Sequence, residues 1–82
     1  MTRKRKIRQM RKEIMRLGKI TSIEVLKEPG QPKKKWGYCV RAEVCGNRIS
    51  APDDSWYEAY KGCLEAARWA AENPYPEKIP WE

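Results

Sequence analysis

The chain contains no histidine and no phenylalanine. Without histidine it lacks the commonest general base and the commonest metal ligand. Its three cysteines, Cys39, Cys45 and Cys63, lie six and eighteen residues apart. These spacings contain no CxxC pair and fit no common zinc pattern. An odd, sparse set of thiols also argues against a disulfide framework and favours a reducing cytoplasm. No apolar run approaches the roughly 20 residues that a bilayer-spanning helix needs. The basic N-terminal residues are not followed by an apolar stretch, so they do not read as a secretory signal. They are basic and amphipathic, as a mitochondrial presequence is, but poor in serine. A glycine-rich phosphate loop and a GxSxG elbow are both missing. The acids Asp53, Asp54 and Glu58 are grouped, and helix capping accounts for them. The expectation is a protein that is not an enzyme, with no cofactor, no metal, no small-molecule substrate and no membrane partner.

What is present is charge of one sign, placed unevenly. The net charge is +7 over 82 residues. Residues 1–19 carry nine cations, Arg3, Lys4, Arg5, Lys6, Arg8, Arg11, Lys12, Arg16 and Lys19, against Glu13 alone, a net +8. The other 63 residues carry nine cations and ten acids, a net −1. A near-neutral body with a cationic leader attracts polyanions, and counterion release contributes much of the binding free energy. Arginine outnumbers lysine five to four in this leader. Guanidinium groups can grip phosphate in a two-pronged fork.

Hydrophobic spacing divides the chain into a basic helix or arm over 1–19, a sheet-plus-helix body over 20–73 and a proline-rich tail over 74–82. Ile7, Met10, Ile14 and Leu17 form an apolar stripe that predicts a helix over 5–17. Repulsion among the first six residues predicts a loose arm before it. Gly18 reads as a left-handed C-cap. Residues 20–27 alternate as a strand, with Ile23 and Val25 opposite Glu24. The run Glu28-Pro29-Gly30-Gln31-Pro32 signals a turn, followed by Lys33, Lys34 and Lys35.

The clearest strand covers 36–45. Trp36, Tyr38, Val40, Ala42 and Val44 share its inward face, with Cys39, Arg41 and Cys45 on the other. The outward placement of Cys39 and Cys45 predicts partial exposure. Gly46-Asn47 predicts a tight turn, and Arg48 to Ala51 return with Ile49 and Ala51 inward. Pro52, Asp53 and Asp54 should then interrupt the sheet. Ser55 and Glu58 form a capping box for a helix beginning at 56. Its apolar stripe is Trp56, Ala59, Tyr60, Cys63, Ala67 and Ala70, and Pro74 stops it. The predicted fold is α+β: a three-stranded antiparallel sheet packed by a C-terminal helix, with a basic N-terminal helix or arm.

Over residues 7–72 this order is similar to that of double-stranded-RNA-binding domains. The resemblance rests on Ile23-Glu24-Val25-Leu26-Lys27-Glu28-Pro29-Gly30-Gln31-Pro32, on the alternating strand with its glycine turn, and on the Ser55-x-x-Glu58-Ala59 helix start. It implies that the basic helix and the Lys33–Lys35 loop enter successive minor grooves. The second helix departs from the family pattern: it opens with Trp56, Tyr57, Glu58 and Tyr60 after two aspartates, where the family places lysines.

Lys35 to Glu72 also resembles the N-terminal arm-binding domains of phage and transposon integrases. That resemblance implies a sheet face contacting DNA through Lys35, Arg41 and Arg48, with the leading basic tail along the backbone. Both resemblances imply duplex nucleic acid as partner. A competing expectation is a protein-binding inhibitor or adaptor that docks on a host enzyme or nucleoprotein complex. Trp69, on the polar side of the second helix, would then join Tyr75 and Trp81 in a protein-binding patch.

Overall fold

The computed structural model describes residues 2–27, 30 and 37–75. Two helices and a three-stranded antiparallel sheet follow one another as α1 (Arg3–Leu17), β1 (Lys19–Leu26), β2 (Gly37–Val44), β3 (Asn47–Asp53) and α2 (Trp56–Glu72). The strands lie in the order β1-β2-β3, so β2 is central. The α+β class and the packing of the C-terminal helix on the sheet agree with the hydrophobic spacing. Lys33, Lys34, Lys35, Trp36, Trp81 and most of the proline-rich tail lie outside the described residues.

Helix α1 begins earlier than electrostatics alone predicts. Arg3, Lys4 and Arg5 sit in its first turn, where cations oppose the helix dipole. Thr2 caps it in extended geometry, its side-chain oxygen accepting from the Arg5 amide at 3.3 Å. The aromatic ring of Tyr57 lies under both Arg3 and Lys6, with their charged groups 5.3 and 5.9 Å from its centroid. Such cation–π contacts contribute about 0.5–1 kcal/mol at exposed sites. With the burial of Ile14, they replace the expected loose arm over residues 3–6 by ordered helix.

Gly18 does not cap α1 in a left-handed conformation. Its φ is −170°, which is extended backbone. Glycine is required by proximity: a methyl group there would strike the Glu43 carbonyl oxygen and would lie 2.8 Å from Cγ2 of Val44. The α1–β1 junction thus lies directly on the end of β2.

The core is built by Ile14 of α1, Val40, Ala42 and Val44 of β2, and Ala59, Tyr60, Cys63, Leu64, Ala67 and Ala70 of α2. Four of the six α2 positions are alanine or cysteine, which brings that helix close to the sheet. Leu64, at the margin of the α2 stripe, is buried with them. Tyr38, Trp56 and Tyr60 close one end, the Trp56 ring centred 4.6 Å from Tyr38 and 6.3 Å from Tyr60 and tilted against both.

Three local expectations are corrected. The β2–β3 turn is Cys45-Gly46, one residue earlier than expected; both have positive φ, 49° and 83°, and Val44 pairs with Asn47. Paired φ > 0 residues match the right-handed twist of the flanking strands. Pro52 and Asp53 remain in β3, opposite Cys39 and Tyr38. A proline is tolerated there because β3 is an edge strand, so its missing N–H need not face a partner. Cys39, on the outward face, is nevertheless buried, lying between Glu24 and Pro52 in register and 3.5 Å from the Ser50 hydroxyl.

Candidate nucleic-acid interface

The exposed side of α1 is cationic because its apolar stripe fixes how the helix rolls. Ile14 is fully buried and Ile7, Met10 and Leu17 pack beside it. At 100° per residue this turns Arg5, Arg8, Lys12 and Arg16 outward, with Lys4 and Arg11 on the flank toward β1. All six are exposed. None forms an ion pair among the described residues. Arg11 also lies near enough to Tyr60 to offset part of the rise in its hydroxyl pKa, which burial drives upward.

Glu13, the single acid of α1, faces the other way. Arg68 of α2 donates to it at 2.7 Å, holding the carboxylate in the seam between the helices. Arg3 and Lys6 are also turned toward α2, onto Tyr57. The eight cations expected on α1 therefore separate into two groups: six on the open face, and Arg3 and Lys6 engaged at the seam. Tyr57 and Arg68 escaped the sequence reading. The readable signal was Glu13, a lone acid beside the apolar stripe, which calls for a cation on the neighbouring helix.

Arg41 and Arg48 do not join this face. They lie on the outward side of the sheet, away from the helices, because they alternate with the buried Val40 and Ala42 and the half-buried Ile49. Arg41 is 3.7 Å from Glu24. Arg48 stands opposite Glu43, which also faces Lys19. That surface alternates in sign, unlike α1. Lys33, Lys34 and Lys35 lie outside the described residues.

Trp69 and Tyr75 are 60% and 54% exposed. Trp69 lies on the flank of α2 away from α1. Asn73 caps the helix by donating to the Trp69 carbonyl at 2.8 Å and accepts from the Asn47 side chain at 2.9 Å. The Tyr75 amide donates to the Cys45 carbonyl at 2.9 Å, fastening the chain after α2 to the β2–β3 turn.

Among the described residues no group of three or more His, Cys, Asp or Glu side chains could hold a metal ion. No described helix is long and apolar enough to cross a membrane. No family model matches this chain, and no curated protein or solved structure does either.

Proposed function

We propose that this protein binds duplex nucleic acid, mainly through phosphate contacts from the open face of α1. The carrying observation is six exposed cations, Lys4, Arg5, Arg8, Arg11, Lys12 and Arg16, with the helix's one acid held aside by Arg68. Lys4, Arg8, Lys12 and Arg16 form three successive like-charge pairs four residues apart. Each such pair costs a helix about 0.2–0.5 kcal/mol. A surface serving only solubility would mix signs; this one keeps a repulsive row that a polyanion would relieve. Lys33, Lys34 and Lys35 would supply a second anchor. Contacts of this kind carry no base information, so affinity should vary little with sequence.

The exposure of Trp69 supports a second reading, docking on a protein partner through Trp69, Tyr75 and Trp81. Exposed tryptophans are frequent anchors at interfaces. Capture from a lysate with and without nuclease treatment separates the two. Nucleic-acid binding predicts recovery of nucleic acid that an Arg5/Arg8/Arg11/Lys12/Arg16→Gln variant loses. A retained protein that resists nuclease and disappears with Trp69→Ala would favour docking instead.

A further inference from the structure

The open-face cations of α1 cover a wide arc. At 100° per residue Arg11 and Arg16 lie about 140° apart around the helix axis, with the other four between them. A flat partner would meet only a narrow strip of such a cylinder; an arc this wide calls for a surface that rises on both sides. Each shoulder of α1 borders a recess. On one side an open groove of about 390 Å³ separates α1 from β1. It takes an exposed cation from each element, Arg11 and Lys19. Thr21 adds an exposed hydroxyl. This residue is the extra member of a β-bulge, since Ile20 pairs with Ala42 and Ser22 with Arg41. Bulges release a side chain from the ladder and re-aim it. Met15 and Ile23 supply apolar wall, and no described acid lines the groove. Glu24 accepts from the Ser22 hydroxyl at 3.1 Å and lies 3.7 Å from Arg41, on the outward sheet face. On the other shoulder Gln9, Lys12 and Arg16 line a smaller recess of about 190 Å³ together with Glu13, whose charge Arg68 offsets.

We infer that these two recesses seat the two phosphate backbones bordering one major groove of B-form DNA, with α1 lying in the groove between them. This names the substrate class within the duplex-binding reading above and rests on that reading. The dimensions agree. A helix with its side chains is about 10–12 Å across. The major groove of B-form DNA is about 12 Å wide and the minor groove only about 6 Å. From Lys4 to Arg16 the cations extend about 18 Å along the helix, the rise of about five base pairs. A-form RNA offers no equivalent seat. Its major groove is too narrow to admit a helix, and its minor groove is too shallow to rise on both shoulders. The chemistry agrees as well. Arg11, Lys19 and the Thr21 hydroxyl are donors of the kind that hold phosphate oxygens, and Met15 and Ile23 present apolar surface to a deoxyribose. Both seats take phosphate, so base sequence still matters little.

The test is anisotropy titration of the full chain, at one low salt concentration, against three duplexes of the same sequence. These are plain DNA, RNA, and DNA whose cytosines carry glucosylated hydroxymethyl groups. The sugars fill the major groove and leave every phosphate in place. Plain DNA should bind best, with the RNA and the glucosylated DNA each weaker by roughly tenfold or more. Lys19→Gln with Thr21→Val should weaken plain-DNA binding several-fold and make the log K–log salt slope shallower by about 1. Both side chains are exposed, so the urea midpoint of that variant should match the parent's. RNA bound as tightly as DNA would overturn the inference and leave phosphate binding standing. Glucosylated DNA bound as tightly as plain DNA would do the same. Parent-like affinity in the Lys19/Thr21 variant would take the α1–β1 groove out of the interface and overturn it too. Failure to bind any of the three duplexes would instead remove the duplex-binding function, and this inference with it.

Discussion

Arg68 of α2 holds Glu13 of α1 at 2.7 Å, keeping the one acid of that helix in the seam and off its cationic face. Both side chains are about half exposed, so the pair itself is worth at most about 1 kcal/mol. Its larger effect is where it puts the carboxylate. Arg68→Ala should therefore lower the unfolding free energy by less than about 1 kcal/mol in urea. It should weaken duplex binding several-fold, by removing a cation and freeing an acid at once. Adding Glu13→Gln should recover most of the affinity, since the freed acid is then gone.

The outward row of α1 can be removed without disturbing the core. Arg8→Ala, Lys12→Ala and Arg16→Ala together should preserve or raise helicity, because alanine is the best helix former and all three like-charge pairs four residues apart vanish. Binding should weaken alike for unrelated duplex sequences, with a log K–log salt slope shallower by about 3. Circular dichroism and anisotropy titrations check the two halves.

Gly18→Ala should destabilise the fold by about 1–3 kcal/mol, the usual cost of forcing extra atoms into a packed site. The cause is the collision with Glu43 and Val44, since a φ of −170° suits any residue. A denaturation midpoint that matched the parent would show that the α1–β1 junction can move off β2.

The element order, both helix stripes and the inward faces of β2 and β3 were legible because apolar spacing is local information. Ser55 marked the start of α2, and its side chain does accept from the Glu58 amide at 3.2 Å. What stayed hidden depends on partners distant in sequence. The order of residues 3–6 rests on Tyr57. The need for glycine at 18 comes from Glu43, and the burial of Cys39 from its neighbours on β1 and β3. The division of the cations into an open group and a seam group follows from the roll of α1 on α2. The stripe announced which side was buried, but not that Arg68 would meet Glu13. The alternating charge around Arg41 and Arg48 appears only once strand register is known.

The thiols should behave differently from one another. Cys45 is exposed on the turn, while Cys39 and Cys63 are buried. A disulfide reagent at mildly alkaline pH should label Cys45 rapidly and the other two only on unfolding. Burial, reinforced by nearby Cys39, pushes the Cys63 thiol up to about 11. Burial also raises Tyr60. The native state thus keeps protons that the unfolded chain releases, so stability falls as pH rises from about 9 to about 11. Urea midpoints across that range should decline, and Cys63→Ala should flatten the decline.

If the open face of α1 serves to neutralise phosphate, duplex affinity of the full chain must fall steeply as salt rises. Six exposed cations predict that log K falls against log salt with a slope of about −5, steeper if Lys33, Lys34 and Lys35 also engage. A slope near zero would show that phosphate neutralisation is not what this face does.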